Sequence, residues 1–209
     1  MSGVLDPKTP FDLAARAQRQ RILDAIVASC AAKTFQGTTI ADIVSRASIS
    51  RTTFYKHFAD KRACFDAAVD FGIEEVRAVA RAARLPDDPP AATVPKAGAA
   101  ILQLMAEKPQ LAQLLTGDAP AVEPAVVGRY RRLVIPAVAG LWEDAAGRAP
   151  HLDPKLAFGR IQLLVYSRVS AGEQSTLPKL LPELVYLAVA PFAGHDEALR
   201  QARQAEGAR

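Results

Sequence analysis

The sequence predicts an all-α protein: an N-terminal three-helix helix-turn-helix head, joined by a long helix to a larger helical domain. Apolar residues recur at the three- and four-residue spacing of amphipathic helices along most of the 209 residues. No segment shows the strict alternation that is typical of a strand. Glycine or proline stands at the later junctions between predicted helices, where both residues interrupt helical hydrogen bonding. We expect one domain over residues 1–62 and a second over residues 63–209.

The first helix is predicted over about residues 16–34 from apolar positions at helical spacing, which are Ile22, Leu23, Ile26 and Val27. Gly37 ends this unit. Thr39 then has the features of an N-cap, with Asp42 three residues later in a variant of the capping box. The second helix is expected to stop near Ala47 and Ser48.

Ser50 is the expected N-cap of a third helix, from about Arg51 to His57. Phe54 and Phe58 are four residues apart, so both face inward and hold this helix against its neighbours. The opposite face then carries Arg51, Thr52, Tyr55 and Lys56. Two short capped helices joined by a tight turn are typical of a unit that lays its second helix in the DNA major groove.

The outer face carries the chemistry for such a contact. Arg51 can reach guanine O6 and N7, and Thr52 or Thr53 can meet a base edge or a thymine methyl group. The groups that suit phosphate oxygens, which position a helix without reading sequence, are Tyr55, Lys56, His57 and Lys61. The alternative is a solvated basic face on a structural helix. The two capped helices and their turn favour DNA binding.

Charge is distributed unevenly between the two predicted domains. Residues 1–62 contain ten Lys and Arg against five Asp and Glu, whereas residues 63–209 contain sixteen against seventeen. A basic excess confined to the helix-turn-helix end is the electrostatic pattern expected of a module that binds phosphates.

Residues 16–65 resemble the DNA-binding region of the tetracycline-repressor (TetR) family of transcriptional regulators. The residues that carry the resemblance are Thr38-Thr39-Ile40, Ile43, Ser50, Thr53-Phe54-Tyr55, His57-Phe58 and Lys61. The resemblance implies two sets of DNA contacts: phosphates for Thr39, Tyr55, His57 and Lys61, and bases for Arg51, Thr52 and Thr53. It also implies a two-fold dimer, a C-terminal ligand domain, and loss of DNA binding when an effector docks.

One position departs from the family pattern. The family usually has glycine in the turn between the two helices, where this chain has Ser48. Glycine adopts the left-handed conformation freely, whereas serine does so at a cost of roughly 1 kcal/mol. Either Ser48 accepts that strain, or the turn differs and changes the direction of the third helix.

The rest of the chain also predicts helices. Residues 60–84 indicate one long helix that connects the two domains, and the proline-rich residues 85–90 break it. Further helices are predicted at 93–107, 109–116, 121–147, 153–171 and 177–193. A polar tail from His195 is expected to begin as helix and end frayed.

Two of these helices are candidates for a dimer interface. Residues 153–171 and 177–193 are apolar over most of their circumference, so each needs cover on more than one side. A homodimer would supply that cover, and the resemblance favours the same two helices. The alternative is a central core helix in a monomer.

A ligand site is harder to place. Arg160 shares a helical face with Leu156 and Leu163, and a cation on an apolar face would suit an anionic small molecule. The alternative is an arginine that extends to solvent or pairs with a carboxylate. Further candidates, for which plain packing is the alternative, are Phe71, Met105, Tyr130, Trp142 and Tyr166.

Several classes of protein are disfavoured. The chain lacks the common motifs of hydrolases, zinc proteases and nucleotide-binding enzymes, so we expect no enzyme, cofactor or metal. No apolar run reaches the roughly 20 residues of a membrane span, and residues 1–21 do not read as a signal peptide. We interpret Cys30 and Cys64 as buried thiols of a cytoplasmic protein.

The expected function is a repressor that binds operator DNA and is released by a small-molecule effector. The alternative is an architectural DNA-binding protein without a ligand. It predicts weakly selective binding, whereas a regulator predicts a palindromic operator.

Overall fold

The computed structural model describes residues 10–84, 88, 90–139 and 153–207, and every regular element in those ranges is helical. The all-α prediction is therefore confirmed. The α-helices are α1 Pro10–Gly37, α2 Ile40–Ala47, α3 Arg51–His57, α4 Lys61–Ala82, α5 Pro90–Glu107, α6 Pro109–Gln113, α7 Ala119–Val122, α8 Ala125–Ala139, α9 Pro154–Ser170, α10 Leu181–Ala193 and α11 His195–Gly207. A π-helical turn, Leu114–Asp118, joins α6 to α7, and a 3-10 segment, Gln174–Leu180, precedes α10.

The chain folds as two compact units, Met1–Phe71 and Gly72–Arg209. We call them the head and the body. The division falls inside α4, so this helix contributes residues to both units. The functional boundary expected after residue 62 stays a prediction.

The core of the head contains the apolar positions expected from the sequence. Its fully buried large side chains come from all four helices and are Ile22, Leu23, Ile26, Ile43, Phe54, Phe65 and Val69. Cys30 and Cys64 are both buried, and neither forms a disulfide among the described residues. Burial raises the pKa of the Cys64 thiol to about 12, so it remains protonated and unreactive.

The first helix is longer than predicted and is distorted near its end. It begins at Pro10, and the distortion lies at Thr34, whose φ of 63° and ψ of 167° are not helical. This region of backbone conformation is essentially restricted to glycine, so a β-branched residue there is strained. The carbonyl oxygen of Thr34 accepts hydrogen bonds from the backbone N–H and the hydroxyl of Thr38, which hold the bend.

In the body, α10 is covered by its own chain. It packs against α5, α9 and α11, and its buried residues include Val185 and Val189. The expectation that α11 would fray is wrong within the described residues. This helix continues to Gly207 because Ala198, Ala202 and Ala205 bury one of its faces against the core that α10 shares.

Helix α9 is different, because it is buried on one side only. Val165 and Val169 lie in the body core, whereas Leu156 and Leu163 are 66% and 64% exposed. Arg160 and Ser167 are exposed too, and the spacing of these four residues places them on one helical face. The sequence therefore predicted the excess apolar surface of α9 and α10, but the two helices differ in what covers it.

The π-helical turn contains an uncommon buried carboxyl group. Asp118 is only 8% exposed, and its Oδ2 has no hydrogen-bond partner in the part of the chain that the structure describes. In this turn the Ala119 N–H donates to the Leu114 carbonyl five residues earlier, which is the bonding pattern of a π-helix. Burial raises the pKa of Asp118 from 3.8 to about 6.

The Asp118 pKa predicts a pH-dependent gain in stability for Asp118→Asn. The folded protein holds this proton more tightly than the unfolded chain, so the wild type loses stability as pH rises from about 4 to about 6. We expect the free energy of unfolding of the variant, relative to wild type, to rise by about 1–3 kcal/mol over that interval. Urea unfolding of both proteins at several pH values measures it. A difference that stays constant with pH would contradict the prediction.

No described helix combines the length and apolar character required to cross a bilayer.

Candidate DNA-binding site

The start of α2 has the predicted capping box. The Thr39 hydroxyl accepts a hydrogen bond from the Asp42 N–H at 3.2 Å, and Asp42 Oδ2 accepts from the Thr39 N–H at 2.8 Å. Lys33 Nζ lies 2.6 Å from Asp42 Oδ1, and this ammonium, with the Thr39 hydrogen bonds, holds the pKa of Asp42 well below its usual range. The contact with Lys33 could not be predicted from the local pattern, because Lys33 lies on the preceding helix.

The turn after α2 adopts the left-handed conformation that glycine would favour. Ser48 has φ 53° and ψ 52°. Its N–H and that of Ile49 donate to carbonyl groups of the last turn of α2, including that of Val44, which closes the helix. Of the two possibilities left open by the sequence, the structure therefore has Ser48 in the strained conformation.

Helix α3 spans the seven residues predicted, and local bonds determine where it starts. The Ser50 hydroxyl accepts from the Thr53 N–H at 3.0 Å. Phe54 is fully buried and Phe58 nearly so, with ring centroids 5.9 Å apart. Because these two rings attach α3 to the head core, the opposite face must point outward.

That outward face carries the side chains expected to meet DNA. Arg51, Thr52, Tyr55 and Lys56 are all exposed. Within the described residues, the head offers these four side chains no hydrogen bond or ion pair. Two cations and two hydroxyl groups are thus free to contact a ligand.

Other predicted contact residues already have partners in the head. The hydroxyls of Thr39 and Thr53 bond to Asp42 and Ser50, and His57 Nε2 lies 2.9 Å from Gln18 Oε1. Gln18 is 39 positions from His57, so no local pattern could have indicated the pair.

Lys61 has the most extensive set of internal contacts among the predicted residues. Its Nζ donates to the carbonyl oxygens of Phe35 and Thr38, each at 2.7 Å, and lies 4.3 Å from the centre of the Phe35 ring. Phe35 also packs on Phe65, with ring centroids 4.6 Å apart. These contacts join the start of α4 to the end of α1. An ammonium has three protons, so one remains for a phosphate.

Lys61→Ala is therefore expected to have two effects. Loss of hydrogen bonds from a charged donor should lower the free energy of unfolding by about 1–3 kcal/mol. Loss of one phosphate contact in each protomer should make the plot of log affinity against log salt shallower by about 1.8 for the dimer, at about 0.9 per contact. Urea unfolding and DNA titrations at several salt concentrations measure the two effects separately. An unchanged slope with reduced stability would restrict Lys61 to its structural role.

Ser48→Gly should stabilise the head by up to about 1 kcal/mol, because glycine removes the strain at φ 53°. Thr34→Gly should stabilise it by more, about 1–3 kcal/mol, because Thr34 is β-branched and lies in a region that only glycine adopts readily. Thermal unfolding of both variants measures the gains. Ser45→Gly, a substitution inside α2, is the control and should destabilise the head by about 1 kcal/mol. Equal losses in all three variants would contradict the assignment of strain.

The candidates for a ligand site do not form one cluster in the described residues. Met105 is half-buried and packs on the body core near Val165, as the packing alternative expected. Arg160 is exposed on the outer face of α9, and its role as a ligand contact stays a prediction. Phe71 and Tyr166 are 38% and 45% exposed. The side chains of Tyr130 and Trp142 lie outside the described residues.

Comparison with known proteins agrees with the geometry of the head. The sequence model of a family described as bacterial regulatory proteins, tetR family, matches residues 22–68. These residues include α2, α3 and most of the head core. No curated protein matches the chain significantly in sequence.

Solved structures show a similar fold over most of the chain. A TetR-like transcriptional regulator from Rhodococcus sp. RHA1 is 23% identical, with 85% of this chain and 96% of that chain covered and a TM-score of 0.65. The fatty acid degradation regulator FadR from Bacillus halodurans is 17% identical, with 90% and 97% covered and a TM-score of 0.69. FadR from Bacillus subtilis, in complex with stearoyl-CoA, is 15% identical, with 84% and 98% covered and a TM-score of 0.65.

The capped helices, the exposed face of α3 and the family match converge on one assignment. The head is similar over residues 22–68 to the tetR family of bacterial regulatory proteins, and the chain has the fold of solved TetR-like regulators.

Proposed function

We propose that the protein is a homodimeric repressor that binds a palindromic operator through α3 and leaves it when a small molecule binds the body. The observation that carries the DNA-binding part is the exposed face of α3, where Arg51, Thr52, Tyr55 and Lys56 have no partner among the described residues. Arg51 reads guanine, and Tyr55 and Lys56 contact phosphates.

The remaining predicted contacts act mainly through backbone geometry. Thr39 and Ser50 cap α2 and α3, and Thr53 bonds to Ser50, so these residues set the position of the two helices. Their N-terminal N–H groups are suited to phosphate oxygens. His57 and Lys61 contribute from the edge of the site, each beside an internal partner.

The outer face of α9 supports the proposed dimer. Leu156 and Leu163 are large, apolar and mostly exposed, and Gly159 between them has no heavy atom within 4 Å of the position of an added Cβ. A glycine on an exposed helix face allows a second helix to approach closely. A second copy of α9, related by a two-fold axis, would bury both leucines against the same surface.

A substitution on α10, the other candidate interface helix, would test the dimer poorly, as Leu184 shows. It is half-buried, and a Cβ atom built on Gly98 of α5 would lie 3.1 Å from Leu184 Cδ2. A charge there would disturb the core of the protomer as well as any interface. The proposed interface is therefore centred on α9 and includes α10 only at its margin.

Ligand release is supported by the solved relatives. The Bacillus subtilis FadR structure holds stearoyl-CoA, which shows that a protein of this fold can bind a small molecule. In the present chain α4 extends from the head into the body, from Lys61 to Ala82. Because α4 is one continuous helix, a displacement of its distal end can be transmitted to the head. We propose that the effector acts through α4 in this way.

Selection of DNA from a random duplex pool tests the proposal. We expect an operator with two inverted half-sites whose centres are about 34 Å apart or at a related groove spacing. Weak selection without inverted symmetry would favour the architectural alternative, which no comparison supports. The proposed function requires no catalysis.

A further inference from the structure

The buried carboxyl group of the body is the feature that the proposed function leaves unexplained. Three buried side-chain oxygens lack a hydrogen-bond partner in the described residues, and they belong to Ser29, Asp118 and Gln201. Of these, only Asp118 carries an ionisable group. A buried charge without a partner is strongly unfavourable, so proteins normally pair it or place it where a ligand supplies the partner.

Two other carboxylates of the body have cations beside them. Glu75 lies 2.6 Å from Lys108 Nζ, and Asp88 lies 2.6 Å from Lys96 Nζ. Among the described residues Asp118 has no such neighbour, and its flanking residues Leu115 and Ala119 are buried and apolar. Asp118 therefore differs from these two paired carboxylates.

The backbone at Asp118 provides a second, independent observation. Asp118 ends the π-helical turn Leu114–Asp118, which inserts one extra residue between two α-helical segments. Such single π-turns are uncommon in α-helices and occur frequently at functional sites, because they turn a side chain out of the helical register. An irregular backbone and an unpaired charge thus coincide at one residue.

A surface side chain lies beside the turn that contains Asp118. Gly117 has no side chain, and a Cβ atom built there would meet only Gln113 Nε2 and Tyr166 Cε2, both at 3.7 Å. Tyr166 belongs to α9 and is 45% exposed, so its ring lies partly at the surface. Displacement of this ring would open the space beside Gly117, next to Asp118.

We propose that Asp118 is the polar recognition group of the effector site, and that it takes an apolar molecule bearing a protonated amine. The ammonium would donate hydrogen bonds to the carboxylate and neutralise it, while the buried apolar residues of the turn hold the rest of the ligand. The inference rests on the proposed function and specifies its effector. It also replaces the expectation of an anionic effector, which depended on Arg160.

Matched pairs of probes test this assignment in the full-length protein. The amines are n-decylamine, 1-adamantylamine and phenethylamine, and the corresponding carboxylates are decanoate, 1-adamantanecarboxylate and 3-phenylpropionate. We expect at least one amine, at neutral pH, to raise the melting temperature of the wild type more than its carboxylate does. In calorimetric titrations, the dissociation constant of the same amine should be roughly tenfold to a hundredfold higher for Asp118→Asn than for the wild type. This is the range expected for the loss of one hydrogen bond to a charged group.

The controls separate this effect from general surface charge. Glu206→Gln removes an exposed carboxylate of α11 and should bind the amine as the wild type does. Asp118→Leu should lose the amine as Asp118→Asn does. The proposal would be overturned if the carboxylates raised the melting temperature more than the amines, or if no amine did so more than its carboxylate. Binding of the amine to Asp118→Asn with wild-type affinity would overturn it too.

A last measurement distinguishes the ligand class from the proposed function. The amine that binds is added to the complex of the protein with its selected operator. Release from DNA in the wild type, and retention in Asp118→Asn, would support both proposals. Binding through Asp118 without release would leave the amine site intact and contradict effector-controlled repression.

Discussion

Replacing Leu163 by Asp should convert the protein to a monomer and abolish high-affinity operator binding. Leu163 is 64% exposed in the protomer, so the new carboxylate should leave the fold of a single chain intact. In the proposed dimer the same carboxylate would be buried without a partner, at a cost of several kcal/mol. A cost of that size is enough to dissociate most dimers of moderate affinity. Sedimentation measures the oligomeric state, and titration with the selected operator measures DNA binding.

Two further variants sharpen the dimer experiment. Leu156→Asp, on the same face of α9, should have the same effect. Gln204→Asp adds one negative charge at an exposed position of α11 and should remain dimeric. A Leu163→Asp protein that stays dimeric would place the interface elsewhere. A monomer that binds the operator at full affinity would contradict the requirement for two heads.

Arg51→Ala should reduce affinity for the operator by roughly 1–3 kcal/mol and relax the preference at one base position in each half-site. The reason is that an exposed, unpaired guanidinium at the start of α3 can donate two hydrogen bonds to guanine. Binding to random duplex DNA should change much less. Selection of operators with the variant, followed by titration of single-base substitutions, measures both quantities.

Lys56→Ala is the matched comparison on the same face of α3. Loss of a phosphate contact in each protomer should weaken binding to the operator and to random DNA alike, and make the salt slope of the dimer shallower by about 1.8, at about 0.9 per contact. Lys155→Ala, on α9 of the body, is the control and should leave the slope unchanged. If Arg51→Ala also weakened all sequences equally, Arg51 would contact only the backbone.

Much of the head could be predicted because its determinants are local. Thr39 and Asp42 are three residues apart, as are Ser50 and Thr53, so the caps of α2 and α3 can be identified in the sequence. The left-handed conformation of Ser48 is one of the two possibilities that the short-range pattern left open. The strain at Thr34 had no comparable signal, because nothing in the sequence around it demands a positive φ.

The helical class, the caps, the inward faces and the exposed cationic face of α3 could be predicted from the sequence, because helical period and capping act over three or four residues. The neighbour of each apolar face could not, since periodicity does not identify it. Packing brings α11 against α10, leaves the Leu156 and Leu163 face of α9 exposed among the described residues of the protomer, and brings Lys61 to carbonyl groups 23 and 26 positions away. The burial of Asp118, whose Oδ2 has no hydrogen-bond partner among the described residues, likewise depends on the packing of helices that are distant in sequence.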